Sequence, residues 1–382
     1  MVKNRGILQI ALVALASLMC LSISPPALAA PAKAGASCVK SGQKSVVKKV
    51  TFLCSKSGKK LVWKAVTAKP VVKPVPTIKV PTVFDLPFAF DNLSANTAEI
   101  SWLITKQEFA NSKPASFNND VVRGANVSDA TFAQSNGQLQ KAINILSKYW
   151  VPVKITSIYF NEKDGEWIDQ AISSAGGNPQ VVTAAQKPYS VMVKEWGSRC
   201  GGGSAQKSAS GPIWIQCLGT DLDKYSLNTV SPHEYFHIFQ SAFRGTERKV
   251  QWADEGTANF FGAVVGLYVS SGNADDLKTF RSYQKKGFDA ELAGLVSRSD
   301  LNGIASRYKA LELGGNPTID NSGYILGQYA SEVLIAVGGW DRFMQLNMRL
   351  GGTASFAQSF EKLYGLKLDE FYPKIAAYVI KQ

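Results

Sequence analysis

The amino-acid sequence predicts an α+β protein, with a mixed sheet in its first part and a mostly helical second part. Short stretches rich in β-branched and alternating apolar residues, typical of strands, lie before residue 220. After that position, apolar residues recur at helical spacing in one long stretch after another. Strands followed by helices, without regular alternation of the two, are typical of the α+β class.

The first 29 residues predict a secretory signal peptide. Two basic residues precede an apolar run over residues 7–23, and Ala27 and Ala29 supply small side chains for cleavage near Ala29 or Ala30. We therefore expect the mature chain to be secreted or associated with the cell envelope. An uncleaved membrane anchor is the alternative, although the run is short for a bilayer span and contains polar residues.

The formal charge of +13 is concentrated near the N-terminus. Residues 31–84 hold twelve lysines and no acidic residue, whereas residues 85–382 hold 28 basic and 29 acidic side chains. Because the charge is local and the chain is expected outside the cell, nucleic acid is not a predicted partner. Residues 31–84 are expected to attract an anionic cell-envelope polymer or acidic lipids, and a solvated arm is the alternative.

Residues 30–66 predict a small basic module, which a linker joins to one large domain. The module is too small for a core of its own, so a disulfide staple is expected within it. Prolines throughout residues 67–87 exclude a helix and predict an extended linker. Residues 88–382 have a globular composition and follow as the main domain.

Four cysteines remain after Cys20 leaves with the signal peptide. Three pairings are possible, and closeness in sequence favours Cys38 with Cys54 and Cys200 with Cys217. An even number of cysteines suits an oxidising compartment. Free thiols are the alternative.

The elements of the main domain follow from the period of the apolar residues. In chain order we predict a helix in 129–150, strands in 151–160, 189–196 and 211–217, and helices in 231–243, 251–269, 323–339, 341–350 and 355–365.

The segment SPHEYFHIFQ, residues 231–240, contains both histidines of the chain. On a helix, His233 and His237 lie one turn apart on the same face and can bind one metal ion. Glu234 lies beside that face, near a bound ion but not directed at it, which suits a general base. The alternative is a capping box, in which Ser231 and Glu234 satisfy backbone N–H groups at a helix start.

A catalytic zinc site takes three protein ligands and leaves a fourth position open. No third histidine exists, so a carboxylate must complete the set. Glu255, eighteen residues after His237 on the next predicted helix, is the candidate that we favour. Asp254, about 100° away around that helix, and Glu247, in a charged turn, are the alternatives.

The segment from Trp252 to Ala258, WADEGTA, resembles the second active-site helix of the gluzincin metallopeptidases, which has the pattern W-x-x-E-G-x-A. Together with HEYFH, it is similar to the bacterial peptidase-MA-like group over about residues 130–380. The resemblance implies that Glu255 is the third zinc ligand, and that Gly256 lets this helix pack closely on its neighbour. The short module resembles Cys–Lys–Gly modules on exported actinobacterial proteins.

Two further residues complete the predicted site. Asn259, one turn after Glu255, is expected to accept a hydrogen bond from the far nitrogen of a ligating histidine. Many family members have aspartate there, so the amide is expected to orient the ring more weakly. Tyr324 stands where the peptidase-MA pattern has a tyrosine that stabilises the oxyanion. Tyr329 is the other candidate, and a core aromatic is the alternative for both.

These observations predict an exported peptidase with one zinc ion per chain and Glu234 as general base. The absence of a G-x-M-E-N motif disfavours an aminopeptidase and leaves endopeptidase as the default. Residues 211–217 are expected to be the edge strand that pairs with an extended peptide substrate. The alternative is an envelope-binding protein whose zinc domain is structural or inactive, although a structural site needs no general base.

Overall fold

The computed structural model describes residues 33–48, 50–66, 89–180, 187–243, 250–268, 276–292, 294–313, 321–349 and 355–382. The signal peptide predicted in residues 1–29 and the linker predicted in residues 67–87 lie outside the described residues. The chain divides into two compact units, Met1–Val75 and Pro76–Gln382. Each is described by itself below.

The first unit is a small antiparallel sheet with the strand order β1-β2-β3. Its strands are β1 (Lys44–Val47), β2 (Val50–Ser57) and β3 (Lys60–Val66). Cys38 and Cys54 form the predicted disulfide, with their Cα atoms 5.9 Å apart. Cys54 packs with Trp63 in the small core of this unit, where so few apolar side chains are buried that a covalent link is needed.

The second unit combines four strands with eleven helices among its described residues. The strands are β4 (Asn118–Arg123), β5 (Lys154–Phe160), β6 (Gly203–Ser208) and β7 (Gly211–Cys217). The helices are α1 (Thr97–Ala110), α2 (Asp129–Leu146), α3 (Gly165–Ser174), α4 (Tyr189–Trp196), α5 (Lys224–Phe243), α6 (Gln251–Ala263), α7 (Asp276–Glu291), α8 (Leu301–Leu313), α9 (Ser322–Met348), α10 (Phe356–Tyr364) and α11 (Leu368–Val379). A π-helical turn, Val264–Tyr268, continues α6.

The four strands form one mixed sheet in the order β4-β5-β7-β6. β4, β5 and β7 are parallel, whereas β6 pairs antiparallel with β7. The sheet precedes a series of helices, which confirms the predicted α+β class. The prediction that residues 211–217 form the edge strand is wrong, because β7 lies between β5 and β6. Ile213, Trp214 and Ile215 are fully buried, as is usual for an internal strand.

Residues 189–196 form helix α4, so the prediction of a strand there is also wrong. The buried side chains are Tyr189 and Val193, which are four residues apart and lie on one face of a helix. Val191, which a buried strand would have placed on the same face as these two, is 41 % exposed. The backbone N–H of Ser190 donates to Asp169 of α3 at 3.1 Å and joins the two helices.

Helix α6 packs very closely against both α5 and α9. A Cβ atom on Gly256 would lie only 2.1 Å from the Cα atom of Gly327 in α9. A Cβ atom on Gly262 would lie 2.9 Å from the Cβ atom of His233 in α5. Glycine is therefore required at these crossings. The close packing expected at Gly256 is present, and it brings side chains from three helices together.

The second predicted disulfide, Cys200–Cys217, is also formed, with its Cα atoms 5.6 Å apart. It joins the chain just before β6 to the end of β7. None of the described helices has both the length and the apolar character that a bilayer span requires.

Candidate metal centre

The HEYFH segment lies in the middle of α5, because this helix begins at Lys224 and not at Ser231. The predicted capping-box alternative is therefore wrong. The hydroxyl group of Ser231 donates instead to Oε1 of Gln216 in β7 at 2.8 Å, and it lies 2.7 Å from the hydroxyl oxygen of Ser135 in α2. These buried contacts attach α5 to the sheet and to α2 at the turn that precedes the histidines.

Three side chains from α5 and α6 converge in one place. Nε2 of His237 lies 3.1 Å from Nε2 of His233 and 3.0 Å from Oε2 of Glu255. The remaining distance, from Nε2 of His233 to Oε2 of Glu255, is 3.7 Å. The three side chains are only 11–16 % exposed. Two imidazoles and one carboxylate thus present three potential ligand atoms to one small space.

This group fits a single metal ion. A circle through the three ligand atoms has a radius of about 1.9 Å, close to the roughly 2.0–2.1 Å that zinc keeps to its ligands. One ion can therefore reach all three atoms. The His233–His237–Glu255 group can hold a metal ion, and its nitrogen and oxygen donors suit zinc and neighbouring transition metals.

A buried amide network orients His237. Nδ1 of His237 lies 2.9 Å from Oε1 of Gln240. Nε2 of Gln240 donates to the carbonyl oxygen of Asp254, to Oγ1 of Thr257 and to Oδ1 of Asn347 at 3.0–3.2 Å. These three acceptors fix the amide so that its oxygen faces His237. The proton of His237 is therefore on Nδ1, and Nε2 keeps its lone pair for a metal ion.

Asn259 is a hydrogen-bond partner of the His233 ring, as Gln240 is of the His237 ring. Its side chain hydrogen-bonds with the ring of His233, as the sequence predicted. The pKa of His233 is lowered to about 3, because burial and, to a smaller extent, His237 outweigh the opposing effects of Glu255 and Asn259. His233 is therefore neutral near pH 7, which is the form that binds a metal ion.

Tyr324 of α9 lies against the same group. Its ring stacks on that of His233 with centroids 5.7 Å apart, and its hydroxyl group hydrogen-bonds with Glu255. Burial raises the pKa of Tyr324, and the charges of Glu255 and Glu234 raise it further. The phenol is therefore protonated near pH 7 and can donate a hydrogen bond.

Glu234 is half-buried on α5, directly after His233. Its charge also raises the pKa of Tyr189 in α4, after the larger effect of burial. Glu234 therefore lies within electrostatic range of tyrosines on two helices, Tyr189 of α4 and Tyr324 of α9. Tyr189, whose hydroxyl group contacts Ser204 of β6, was not predicted to lie near the site.

The alternative candidates lie elsewhere or are not described. Tyr329 is buried next to the guanidinium group of Arg281, whose central carbon is 5.6 Å from the ring centroid. Asp254 is buried on α6 and is not a member of the group of potential ligands. Glu247 lies outside the described residues.

Comparison with models of protein families, with curated proteins and with solved structures finds no match for this chain.

Proposed function

We propose that this chain is an exported zinc-dependent peptidase, acting as an endopeptidase. The observation that carries the proposal is the convergence of His233, His237 and Glu255 within bonding range of one ion, with Glu234 next to them on the same helix. A structural metal site requires no general base, whereas the carboxylate of Glu234 is suited to that role. The resemblance to the gluzincin peptidases supports the same function.

The proposed reaction is the hydrolysis of a peptide bond. Bound zinc would lower the pKa of a water molecule and polarise the substrate carbonyl group. Glu234 would accept the proton of the attacking water and pass it to the leaving amine. Tyr324, protonated and placed against Glu255, would donate a hydrogen bond to the developing oxyanion. Gln240 and Asn259 would hold the two imidazoles in place.

Strand β6 is the proposed docking site for the substrate backbone. It forms an edge of the sheet, so the backbone groups on its outer side can pair with an extended peptide. β6 also packs against α5, the helix that carries Glu234. This assignment replaces the predicted role of residues 211–217, which form an internal strand.

Cleavage of a mixed peptide library by the zinc-loaded mature protein, read by mass spectrometry, tests the proposal. Products are expected with the wild type and not with Glu234→Gln, because the amide cannot accept the proton. Products common to both would mean that Glu234 is not the base. No products from either would refute the peptidase proposal and favour the envelope-binding alternative with an inactive zinc domain.

We further propose that the first unit attaches the protein to an anionic cell-envelope polymer. The pairing register places Lys44, Leu53 and Lys64 side by side on one face of the sheet. Cys54 and Trp63 lie on the opposite face, so the lysines stay exposed. No acidic residue occurs in this unit to neutralise them.

Binding of the full mature chain to cell walls, with and without their anionic polymers, tests the tether. Binding is expected only to walls that retain the polymers, and it should weaken as salt screens the charges. Lys60 lies on the same face as Lys64, four residues along β3, and a variant with glutamine in place of Lys44, Lys60 and Lys64 is expected to bind less. Equal binding of the variant would refute the role of this face.

A further inference from the structure

A cavity of about 670 Å³ is lined by residues outside the metal centre. It is bounded by α2, the first turns of α5, the π-helical turn and α7. Its lining includes Lys141, Lys224, Tyr225, Asn228 and Tyr283. None of them belongs to the metal centre, and the volume is in the range of small-molecule sites.

Asn228 supplies a buried polar group to this cavity. Its side chain is only 4 % exposed, and Oδ1 accepts hydrogen bonds from Nε2 of Gln134 at 2.6 Å and Nε2 of Gln138 at 3.2 Å. These two bonds orient the amide. With Oδ1 engaged by the two glutamines, Nδ2 of Asn228 is the group that can donate a hydrogen bond to a ligand in the cavity.

The cavity is also positively charged. Lys141 is half-buried, its pKa is lowered by burial, and no described carboxylate pairs with it. Lys224 adds a second charge at the start of α5, where the helix dipole is positive. No aspartate or glutamate lines the cavity. The nearby Asp223 accepts hydrogen bonds from the backbone and hydroxyl groups of Ser226 at 2.9 and 2.7 Å.

Two tyrosines form a flat apolar wall. The rings of Tyr225 and Tyr283 are stacked, with centroids 4.0 Å apart and planes inclined by 24°. Tyr283 is 41 % exposed, so part of its surface remains open to a bound molecule. A cavity with an aromatic wall and a few convergent polar groups recognises a ligand with one apolar and one charged end.

We propose that this cavity binds an anionic sugar, with Lys141 and Asn228 contacting its carboxylate or phosphate group and Tyr283 packing against its ring. The site is distinct from the metal centre and does not depend on the peptidase proposal. A sugar-sized body suits the cavity better than a bare inorganic anion, which would leave the tyrosine wall unused.

Titration calorimetry on the full mature protein tests this site with four probes: glucuronate, glucose 6-phosphate, glucose and inorganic phosphate. Glucuronate or glucose 6-phosphate is expected to bind, and whichever binds more tightly identifies the anionic group. Glucose is expected to bind at least tenfold more weakly for lack of charge, and inorganic phosphate at least tenfold more weakly for lack of a ring. Failure of both acidic sugars to bind, or equal binding of inorganic phosphate, would overturn the proposal.

Three variants locate the binding. Lys141→Met is expected to weaken the acidic sugar at least tenfold, whereas Lys286→Met, an exposed lysine on α7 outside the cavity, should leave it unchanged. Tyr283→Ala is expected to weaken the acidic sugar without changing the binding of inorganic phosphate. Equal affinities of the two lysine variants would place the sugar elsewhere. Thermal unfolding of each variant verifies that its fold is intact.

Discussion

At the scale of the residue, the hydrogen bond between each histidine ring and a neighbouring amide side chain orients that ring as a potential metal ligand. Asn259 could be predicted from its helical spacing to Glu255, and it contacts His233. Gln240 was missed, although it lies three residues after His237 on the same helix. The spacing alone was not sufficient, because the acceptors that fix Gln240 include Asn347, which is distant in sequence. Tertiary contacts of this kind leave no local pattern.

Replacement of Gln240 by leucine is expected to weaken zinc binding by about 10- to 100-fold, because the Nδ1–H group of His237 loses its acceptor. Competition with a chromophoric chelator measures the affinity. Gln170→Leu, an exposed glutamine on α3, is the matched control and should bind zinc as the wild type does. Wild-type affinity in Gln240→Leu would show that the amide does not orient the ring.

The metal-free protein is expected to lose stability as the pH falls from about 6.5 towards 3. His233 has a pKa of about 3 in the fold, whereas an unfolded histidine has a pKa of about 6.5. Between these values the unfolded state binds the extra proton, at a cost of at most about 1.4 kcal/mol per pH unit. Urea unfolding measures this slope. His233→Asn should reduce it, and an unchanged slope would contradict the neutral state of His233.

At the scale of the element, periodicity predicted the helices that carry the site, but it predicted a strand where α4 forms and no strand for β4 or β6. The residues of α4 contain alternating valines, and eight residues are too few for periodicity alone to distinguish a strand from a helix. Residues 211–217 were correctly predicted as a strand, but their position in the sheet depends on β6, whose polar sequence gave no strand pattern. Two helices were predicted within 323–350, and they meet at Gly339, where the backbone is not helical.

The crossing of α6 with α9 is expected to control both stability and metal binding. Gly256→Ala would force the helices apart, which should lower the free energy of unfolding by about 1–3 kcal/mol. Zinc affinity should fall as well, because Glu255 moves with α6. Gly137→Ala on α2 is the control, since a Cβ atom there meets nothing within 4 Å. Gly137→Ala should raise the free energy of unfolding by about 0.5–1 kcal/mol. A Gly256→Ala protein as stable as the wild type would contradict the close crossing of α6 and α9.

At the scale of the whole molecule, the basic charge and the metal centre lie in different units. Eleven of the twelve lysines of residues 31–84 lie in the first unit, whereas residues 85–382 have nearly balanced charge. The histidine pair and its glutamate could be predicted from the sequence, because their spacing on two helices carries the chemistry. The cavity between α2, α5 and α7 could not be predicted from the sequence, because its lining residues come from elements that are distant in the chain and form no motif.

The Cys200–Cys217 disulfide is expected to stabilise the second unit by about 3 kcal/mol, given a separation of 17 positions between its cysteines. Replacement of both cysteines by alanine should lower the free energy of unfolding by this amount in a urea titration. The same replacement of Cys38 and Cys54 serves as a comparison within the first unit. An unchanged transition in the Cys200–Cys217 variant would mean that the loop is already restrained without the bond.

The zinc content of three purified proteins tests the central claim most directly. Metal analysis after dialysis against limiting zinc should give one ion per chain for the wild type and for Glu234→Gln, because Glu234 is not a ligand. His237→Ala should retain almost none. Equal loss of zinc from both variants, or full retention by His237→Ala, would contradict a metal centre formed by His233, His237 and Glu255 with Glu234 as a separate base.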